Sequence, residues 1–232
     1  MNFLVVIYHE TEAHFNMMVN TLKSFPEGSE ITAVVNKRLE GAQYPEGINY
    51  IENDINCLGR AWNIGIREIF KTQNIAFVSN LDIVAPEPGA LVFIQHALEQ
   101  DPSIGVVGAT PHRFGENKPI SVEPRLLNHG DGSFSFFAIH KDAFEKVGGF
   151  SEEYLPCYFE DNDMLERLKK FRFKPMQFAN ITYHHVTQGT VKHGTDSKTQ
   201  YPEYMQRNLE KFKEMWGFVP PHLPQDINFL TK

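Results

Sequence analysis

Cysteine is nearly absent from this sequence, and so are long apolar runs. The only two cysteines, Cys57 and Cys157, cannot form a disulfide framework and do not have zinc-ligand spacing, so we expect free thiols in a reducing compartment. No window approaches the ~20 apolar residues of a membrane span. The N-terminus lacks the basic region of a signal peptide, because Phe3–Ile7 is followed directly by polar residues. We therefore expect a cytoplasmic protein with no membrane span.

Positive charge is also in short supply. The chain has 22 Lys and Arg against 29 Asp and Glu, a formal net charge of -7. Nucleic-acid binding depends on neutralising many phosphates, so general nucleic-acid binding is disfavoured. The sequence contains no Gly-x-Gly-x-x-Gly, Walker Gly-Lys-Ser/Thr, His-Glu-x-x-His or Cys-x-x-Cys pattern. These absences count against dinucleotide, ATP and zinc-hydrolase sites.

Apolar residues are abundant enough for a sizeable core, at 41% of the chain with 12% aromatic. In the first half, short apolar runs alternate with helical periodicity. The predicted strands are 3–8, 31–35, 48–51 and 75–79, and the predicted helices are 11–25 and 59–70. Such alternation indicates βαβ units and a mainly parallel sheet.

The second half is less regular. Its predicted helices are 88–100, a short one from Lys141, 161–171 and an amphipathic tail helix at 203–215. Its predicted strands are 104–108, 134–139 and 181–185. We predict a single α/β domain with a mainly parallel central sheet flanked by helices. It divides into residues 1–200, which hold the sheet, and a C-terminal helix and tail, 201–232, that packs on the domain.

Polar residues follow the predicted strands at their carboxyl ends, where open α/β sheets bind ligands. One such segment is Asn80–Asp82. A carboxylate placed there can hold a divalent cation that bridges two phosphates. The alternative is a simple strand-ending turn, which Asn and Asp also favour.

The densest group of acids lies at 160–166. Asp163 and Glu166 fit ordinary helix capping, because acids in the first turn complement the helix dipole. Capping explains Glu160 and Asp161 less well, since they follow an aromatic segment, residues 154–159, that would raise a carboxylate's pKa. Among the ten histidines, the pair that ends a predicted strand, His184 and His185, could complete a metal site with Asp82.

Four segments together resemble the family 2 glycosyltransferases, which have the GT-A fold and invert the anomeric carbon. Residues 56–65 are similar to the family's Asn-x-Gly…Asn-x-Gly segment, and Asn80–Asp82 occupies the Asp-x-Asp position. Val147–Phe150, continuing through Phe159–Asp163 to Arg167, resembles the Val-Gly-Gly-Phe-Asp-Glu…Glu-Asp-x-Asp-Leu-x-x-Arg block. Residues 208–217 resemble a common tail ending in Lys-Trp-Gly.

The resemblance implies a metal-dependent transfer of sugar from a nucleotide-diphosphate donor to a glycan or other hydroxyl-bearing acceptor. A divalent metal, Mn or Mg, is expected on Asp82 and His185. Asp161 is expected to be the general base, with its neighbour Glu160 as the competing catalytic carboxylate. The residues expected at the nucleotide sugar are Tyr8, His9, Glu10, Asn36, Arg60, Asn80 and Asp82.

Two positions depart from the family pattern. Asn80 and Asn36 stand where the family commonly has Asp, so negative charge is lost near the diphosphate. These changes favour one alternative, a weakly active or inactive relative that binds sugar nucleotides or glycans. A nucleotidyltransferase is the other alternative, although it would normally show a Gly-rich, basic N-terminal phosphate loop.

Overall fold

The first half of the chain forms the predicted βαβ series. The computed structural model describes residues 1–112, 124–126, 133–186, 193–194 and 196–220. The elements are β1 (Asn2–Tyr8), α1 (Glu12–Ser24), β2 (Glu30–Lys37), β3 (Asn49–Glu52), α2 (Leu58–Ile69) and β4 (Ile75–Ser79). Each matches a predicted element to within two residues.

The second half adds strands of both directions and four helices to the described part of the chain. They are β5 (Ile83–Val84), α3 (Pro88–Gln100), β6 (Ile104–His112), β7 (Pro124–Leu126), a 3-10 turn (Ser133–Ser135), β8 (Phe136–His140), α4 (Lys141–Val147), α5 (Glu160–Lys170), β9 (Lys174–His185) and α6 (Asp196–Trp216). None of the helices in the described ranges has the length and hydropathy needed to cross a bilayer.

These strands form one nine-stranded sheet in the order β3-β2-β1-β4-β8-β6-β9-β5, with β7 paired to β9. Strands β3, β2, β1 and β4 are parallel, and β6 and β9 are parallel to each other. Because β8 runs antiparallel to both β4 and β6, all six of these strands point the same way. The predicted α/β domain with a mainly parallel sheet and a C-terminal helix is therefore confirmed.

Three second-half strands differ from their predicted extents, and β5 and β7 were not predicted. Strand β6, predicted as 104–108, continues to His112. The segment predicted as 134–139 begins as a 3-10 turn and becomes extended only at Phe136. The strand predicted at 181–185 is the end of a 12-residue strand, β9. Pro175 and the fully buried Gln177 hid its first half, because neither residue is typical of a strand interior. An irregular register between Phe178 and Thr182 also breaks the alternation.

Helices cover both faces of the sheet, and strand β1 supplies both cores. Its alternate residues Phe3, Val5 and Ile7 belong to the core beneath α1 and α3. Leu4 and Val6 belong to the core beneath α2, α4 and α5. This alternation is the period of two that a strand imposes on its side chains.

The tail helix α6 forms a third apolar cluster. Tyr204, Met205, Leu209 and Phe212 pack there against residues of the segment before α5, Tyr154 and Phe159. The helix begins at Asp196 and therefore includes the expected division at residue 201, and that division stays a prediction.

Close backbone approach explains one glycine of the motif segment. A Cβ on Gly59, in the first turn of α2, would lie 2.4 Å from the carbonyl oxygen of Ser151. Backbone is the neighbour here, so a side chain could not be accommodated by rotating another side chain away. Gly89 holds the same position in α3, the second residue of the helix, and a Cβ there would meet nothing within 4 Å.

Gly59→Ala should therefore lower the free energy of unfolding by ~1–3 kcal/mol, because the new methyl group forces backbone apart. The matched control Gly89→Ala should be neutral or stabilising by up to ~1 kcal/mol, since alanine is the better helix former. Urea denaturation of both variants measures the difference. Equal effects would contradict the close packing of α2 on residue 151.

Candidate active site

The candidate site lies along one edge of the sheet. Strands β1, β2, β3 and β4 are parallel, so their carboxyl ends meet at the same edge. The strand β9 points the same way and ends there at His185. The predicted site residues near strand ends are therefore collected at this edge.

Asp82 and His185 are brought together by strand pairing. Asp82 directly precedes β5, whose Ile83 is paired with His185, and the backbone N–H of Val186 donates to the carbonyl oxygen of Asp82 at 3.0 Å. Asp82 Oδ2 lies 3.4 Å from His185 Nε2, and their side chains are only 7% and 13% exposed. His184 is exposed and, as the neighbouring strand residue, points to the other face. Of the two histidines, His185 is the one beside Asp82.

A buried threonine holds the Asp82 turn in place. Thr21, on α1, donates its hydroxyl towards the carbonyl oxygens of Leu81 at 2.8 Å and Ile83 at 2.7 Å. The backbone N–H of Ile83 donates back to Thr21 Oγ1 at 3.2 Å. Satisfying these buried backbone groups fixes the direction of Asp82. The sequence offered no signal for this role, since Thr21 lies within an ordinary amphipathic helix.

Asn36 and Arg60, two of the residues predicted near the nucleotide, both contact Asn53. Asn53, at the end of β3, donates to Asn36 Oδ1 at 2.7 Å and accepts from Arg60 Nε at 3.0 Å. Arg60 also contacts Asp54 and Glu152, at 3.2 and 3.5 Å. Asn36 and Arg60 are thus joined through the side-chain amide of Asn53.

Asn80 is fixed by its backbone. Its N–H donates to the carbonyl oxygen of Ser135 at 2.9 Å, and its own carbonyl accepts from Ser79 Oγ at 2.8 Å. The Asn80–Asp82 segment is therefore bonded to the 3-10 turn before β8 on one side and to α1 on the other.

The side chains at the end of β1 have two different sets of contacts. Tyr8 donates its hydroxyl to Glu10 Oε1 at 2.9 Å, and Lys37 Nζ lies 3.4 Å from the same oxygen. His9 points away from them and is fully buried, with Nδ1 2.6 Å from the Tyr44 hydroxyl and its ring stacked on Tyr44. Tyr44 lies in a loop, and no sequence signal marked it.

The acidic group at 160–166 divides into two kinds of residue. Asp163 is buried, paired with Arg167 at 2.8 Å, and accepts from Trp216 Nε1 at 3.0 Å. Glu166 pairs with Lys169 at 2.8 Å on the surface side of the helix. Both acids therefore have basic partners. Asp163 lies in the first turn of α5, where capping placed it, whereas Glu166 lies beyond that turn. Asp161 is partly exposed, and its Oδ1 accepts from Asn162.

Glu160 is the unusual member of the group. It is 3% exposed, and its Oε2 has no hydrogen-bonding partner among the residues that the structure describes. Burial, and then the charge of Asp161, raise the pKa of Glu160 well above its ordinary value. The aromatic surround was predicted to have this effect, and for Glu160 that prediction is confirmed. The two preceding residues, Tyr158 and Phe159, both have left-handed backbone conformations, with φ of 74° and 76°.

Helix α6 fixes the segment that leads into α5. Asn208 Nδ2 donates to the carbonyl oxygens of Leu155, Cys157 and Tyr158, at 3.1, 2.8 and 3.3 Å. On the other side, the N–H of Leu58 in α2 donates to the carbonyl oxygen of Pro156 at 2.8 Å. The start of α5 is therefore held beside the start of α2, which follows the carboxyl end of β3.

Comparison with known proteins shows similarity in structure but not in sequence. No protein-family profile and no curated protein sequence matches the chain. Solved structures match well. The chain superposes on GalNAc-T7 with UDP, GalNAc and Mn²⁺ with a TM-score of 0.64 at 12% identity, over 99% of this chain and 53% of that one.

The S. aureus protein TarS 1-349 is also similar, with a TM-score of 0.57 at 11% identity over 91% of this chain and 65% of TarS. Its complex with UDP-GlcNAc gives 0.58 at 12% identity, over 91% of this chain and 66% of that one. The fold is GT-A-like. The chain spans between about half and two thirds of the length of these structures.

The buried His9 makes the free energy of unfolding depend on pH. Burial, then His14 and Arg38, lower the pKa of His9 to about 4. The folded protein keeps this ring neutral, whereas the unfolded chain takes up a proton below its ordinary pKa of 6.5. The contribution to stability is therefore complete above pH 6.5 and is lost as the pH falls towards 4.

We expect the wild type to lose up to about 3 kcal/mol of unfolding free energy relative to His9→Gln over this interval. Urea denaturation of both proteins at several pH values between 4 and 7.5 measures the difference. Parallel pH dependences would contradict the buried, neutral state of His9.

Proposed function

We propose that this protein is a metal-dependent glycosyltransferase. It moves a sugar from a nucleotide-diphosphate donor to an acceptor hydroxyl, with inversion at the anomeric carbon. The observation that carries the proposal is the Asp82–His185 pair, 3.4 Å apart, at the end of β9. Asp161 lies in the first turn of α5, and the segment leading into α5 is bonded to the start of α2 through Pro156 and Leu58. The GT-A-like fold supports it, since GalNAc-T7 was solved with UDP and Mn²⁺ and TarS with UDP-GlcNAc.

The donor atoms at Asp82 fit a hard divalent cation, Mn²⁺ or Mg²⁺. The carboxylate oxygen and the imidazole nitrogen are close enough for one cation to contact both, because metal–ligand bonds of this kind are ~2.0–2.2 Å. In the described residues no group of three or more His, Cys, Asp or Glu side chains could hold a metal ion. A two-residue site suits a cation that takes its other ligands from substrate phosphates and water. Such a cation would neutralise charge on the leaving diphosphate.

The nucleotide has polar and basic groups available along the same edge. The Arg60 guanidinium is held by Asn53, Asp54 and Glu152, which restricts its motion and keeps its side chain only one-third exposed. Asn36 joins it through Asn53. Tyr8 and Glu10, at the end of β1, are the proposed contacts to the base or ribose, together with Asn80.

Asp161 is the proposed general base. The acceptor oxygen forms a bond to the anomeric carbon as the bond to the diphosphate breaks, and its proton passes to Asp161. Asp163 and Glu166 are less suitable because each is already paired with a basic side chain. Asp161 is the partly exposed carboxylate of the helix's first turn, within reach of solvent and therefore of an acceptor.

A second candidate is a non-catalytic relative that binds the same nucleotide sugars. Asn36 and Asn80 favour it, because the two amides supply less negative charge for a metal than carboxylates would. Hydrolysis of UDP-GlcNAc, UDP-GalNAc and UDP-glucose, with Mn²⁺ and no acceptor, separates the two candidates. Metal-dependent release of UDP supports the enzyme, and tight binding without release supports the binder.

Substitution of the two acids should separate their roles. Asp82→Asn should weaken Mn²⁺-dependent donor binding, because a neutral amide is a poorer ligand for a hard cation. Asp161→Asn should leave donor binding nearly unchanged while lowering kcat by ~10²–10⁴, the range of general-base catalysis. Calorimetric donor affinity and steady-state turnover are the measurements.

Asp142→Asn, on the exposed face of α4, is the matched control and should match the wild type in both measurements. Wild-type turnover in Asp161→Asn would show that another group accepts the proton. Unchanged metal dependence in Asp82→Asn would remove the proposed metal site.

A further inference from the structure

We propose that Glu160 is a positioning residue for the transfer reaction, and that its buried carboxyl group works in the protonated form to orient Asp161. This inference rests on the proposed function, since it concerns the neighbour of the proposed base. The sequence left Glu160 as a competitor for the base. Its surroundings in the folded protein favour a different task.

The turn before Glu160 is strained. Tyr158 and Phe159 both have left-handed φ angles, a conformation that is unfavourable for non-glycine residues. Strain of this kind persists only where neighbouring groups fix the backbone. Here the carbonyl of Tyr158 accepts from Asn208, and the Phe159 side chain is buried against Phe212. The turn sets the first residues of α5, and therefore the direction of Asp161.

The carboxyl group of Glu160 is enclosed at this turn. A Cβ placed on Gly59 would lie 3.6 Å from the Cβ of Glu160, so the Glu160 side chain packs against the start of α2. The backbone N–H groups of Glu160 and Tyr158 favour the ionised carboxylate, but burial acts more strongly in the opposite direction. The titratable groups around it are Cys57 at the N-terminus of α2, Tyr154, Cys157 and Tyr158 in the preceding segment, and Asp161 and Asp163 on α5, with Tyr204 of α6 beside Cys157.

This enclosure favours the protonated form of the Glu160 carboxyl group. A second negative charge beside Asp161, among buried thiols and phenols, would be poorly solvated. A protonated Glu160 removes that repulsion and leaves Asp161 as the carboxylate that can take the acceptor proton. Burial raises the pKa of the surrounding thiols and phenols as well, so these groups also stay neutral near pH 7.

The test compares Glu160→Gln, which imitates the protonated acid, with Glu160→Ala, which removes it. The substrate is the UDP-sugar, among the three named under Proposed function, that the wild type hydrolyses. Its turnover is measured from pH 6 to about 10. We expect the wild type to lose kcat at alkaline pH, where Glu160 ionises. Glu160→Gln should retain most of kcat at pH 7 and lack this alkaline loss. Glu160→Ala should lose kcat by up to ~10²-fold with donor KM little changed, because the base is misplaced.

Glu166→Gln is the matched control on the same helix, and Cys157→Ser tests whether the thiol causes the alkaline loss. Both should keep the wild-type pH profile. If Glu160→Gln is as inactive as Glu160→Ala, or keeps the alkaline loss, the inference is overturned. If Glu160→Gln is inactive while Asp161→Asn is active, Glu160 is the base instead.

A measurement without turnover keeps the inference separate from the proposed function. The folded-state pKa of Glu160 is raised, so ionisation favours the unfolded chain once the pH exceeds the ordinary value of 4.5. The wild type should therefore lose stability relative to Glu160→Gln as the pH rises from 4.5 to 8. A difference that does not change with pH would overturn the protonated state even in an inactive protein. If this pH-dependent difference in stability is present but no donor is hydrolysed, the proposed function is contradicted and the protonated state of Glu160 is not.

Discussion

Two hydrogen bonds between Asn63 and the backbone of Phe150 join the halves of this protein. Phe150 N–H donates to Asn63 Oδ1 at 2.8 Å, and Asn63 Nδ2 donates to the carbonyl oxygen of Phe150 at 2.9 Å. Both groups are buried, so losing either partner would leave an unsatisfied polar atom in the core. A Cβ on Gly149 would lie 2.6 Å from Asn63 Oδ1, so this contact also requires glycine there. The middle of α2 is thereby tied to the segment that leads to α5.

The placement of α5 depends on further contacts with the same segment. Arg167 of α5 donates to the carbonyl oxygens of Val147 and Gly149, and its pairing with Asp163 fixes the helix against the same turn. Helix α6 closes the other side through Asn208 and Trp216. The carboxylates at the start of α5 are therefore held by contacts from α2, from the glycine turn and from the tail. Elements far apart in sequence converge on the position of Asp161.

The sequence predicted the fold well, because its main signals are local. Alternating apolar runs indicated β1 to β4 and their helices, and strand-end polarity indicated the edge that carries the site. It also predicted that His184 or His185 would lie beside Asp82, and the family resemblance selected His185. The roles of Thr21, Tyr44 and Asn208 could not be predicted, because each depends on contacts between residues distant in the chain. The different surroundings of Glu160 and Asp161 could not be predicted either, since sequence alone does not show which of two neighbouring acids is buried. In the structure Glu160 is buried and Asp161 is partly exposed.

The central claim is that Asp82 and His185 hold a cation at the diphosphate, on the edge where Asp161 meets the acceptor. A crystal structure with UDP and Mn²⁺, with anomalous scattering measured at the manganese edge, tests it most directly. We predict an anomalous peak in contact with Asp82 and His185, a diphosphate on the same cation, and Asp161 facing the open side of that site. A metal bound elsewhere, or Asp161 on the opposite face of the sheet from the diphosphate, would contradict the claim.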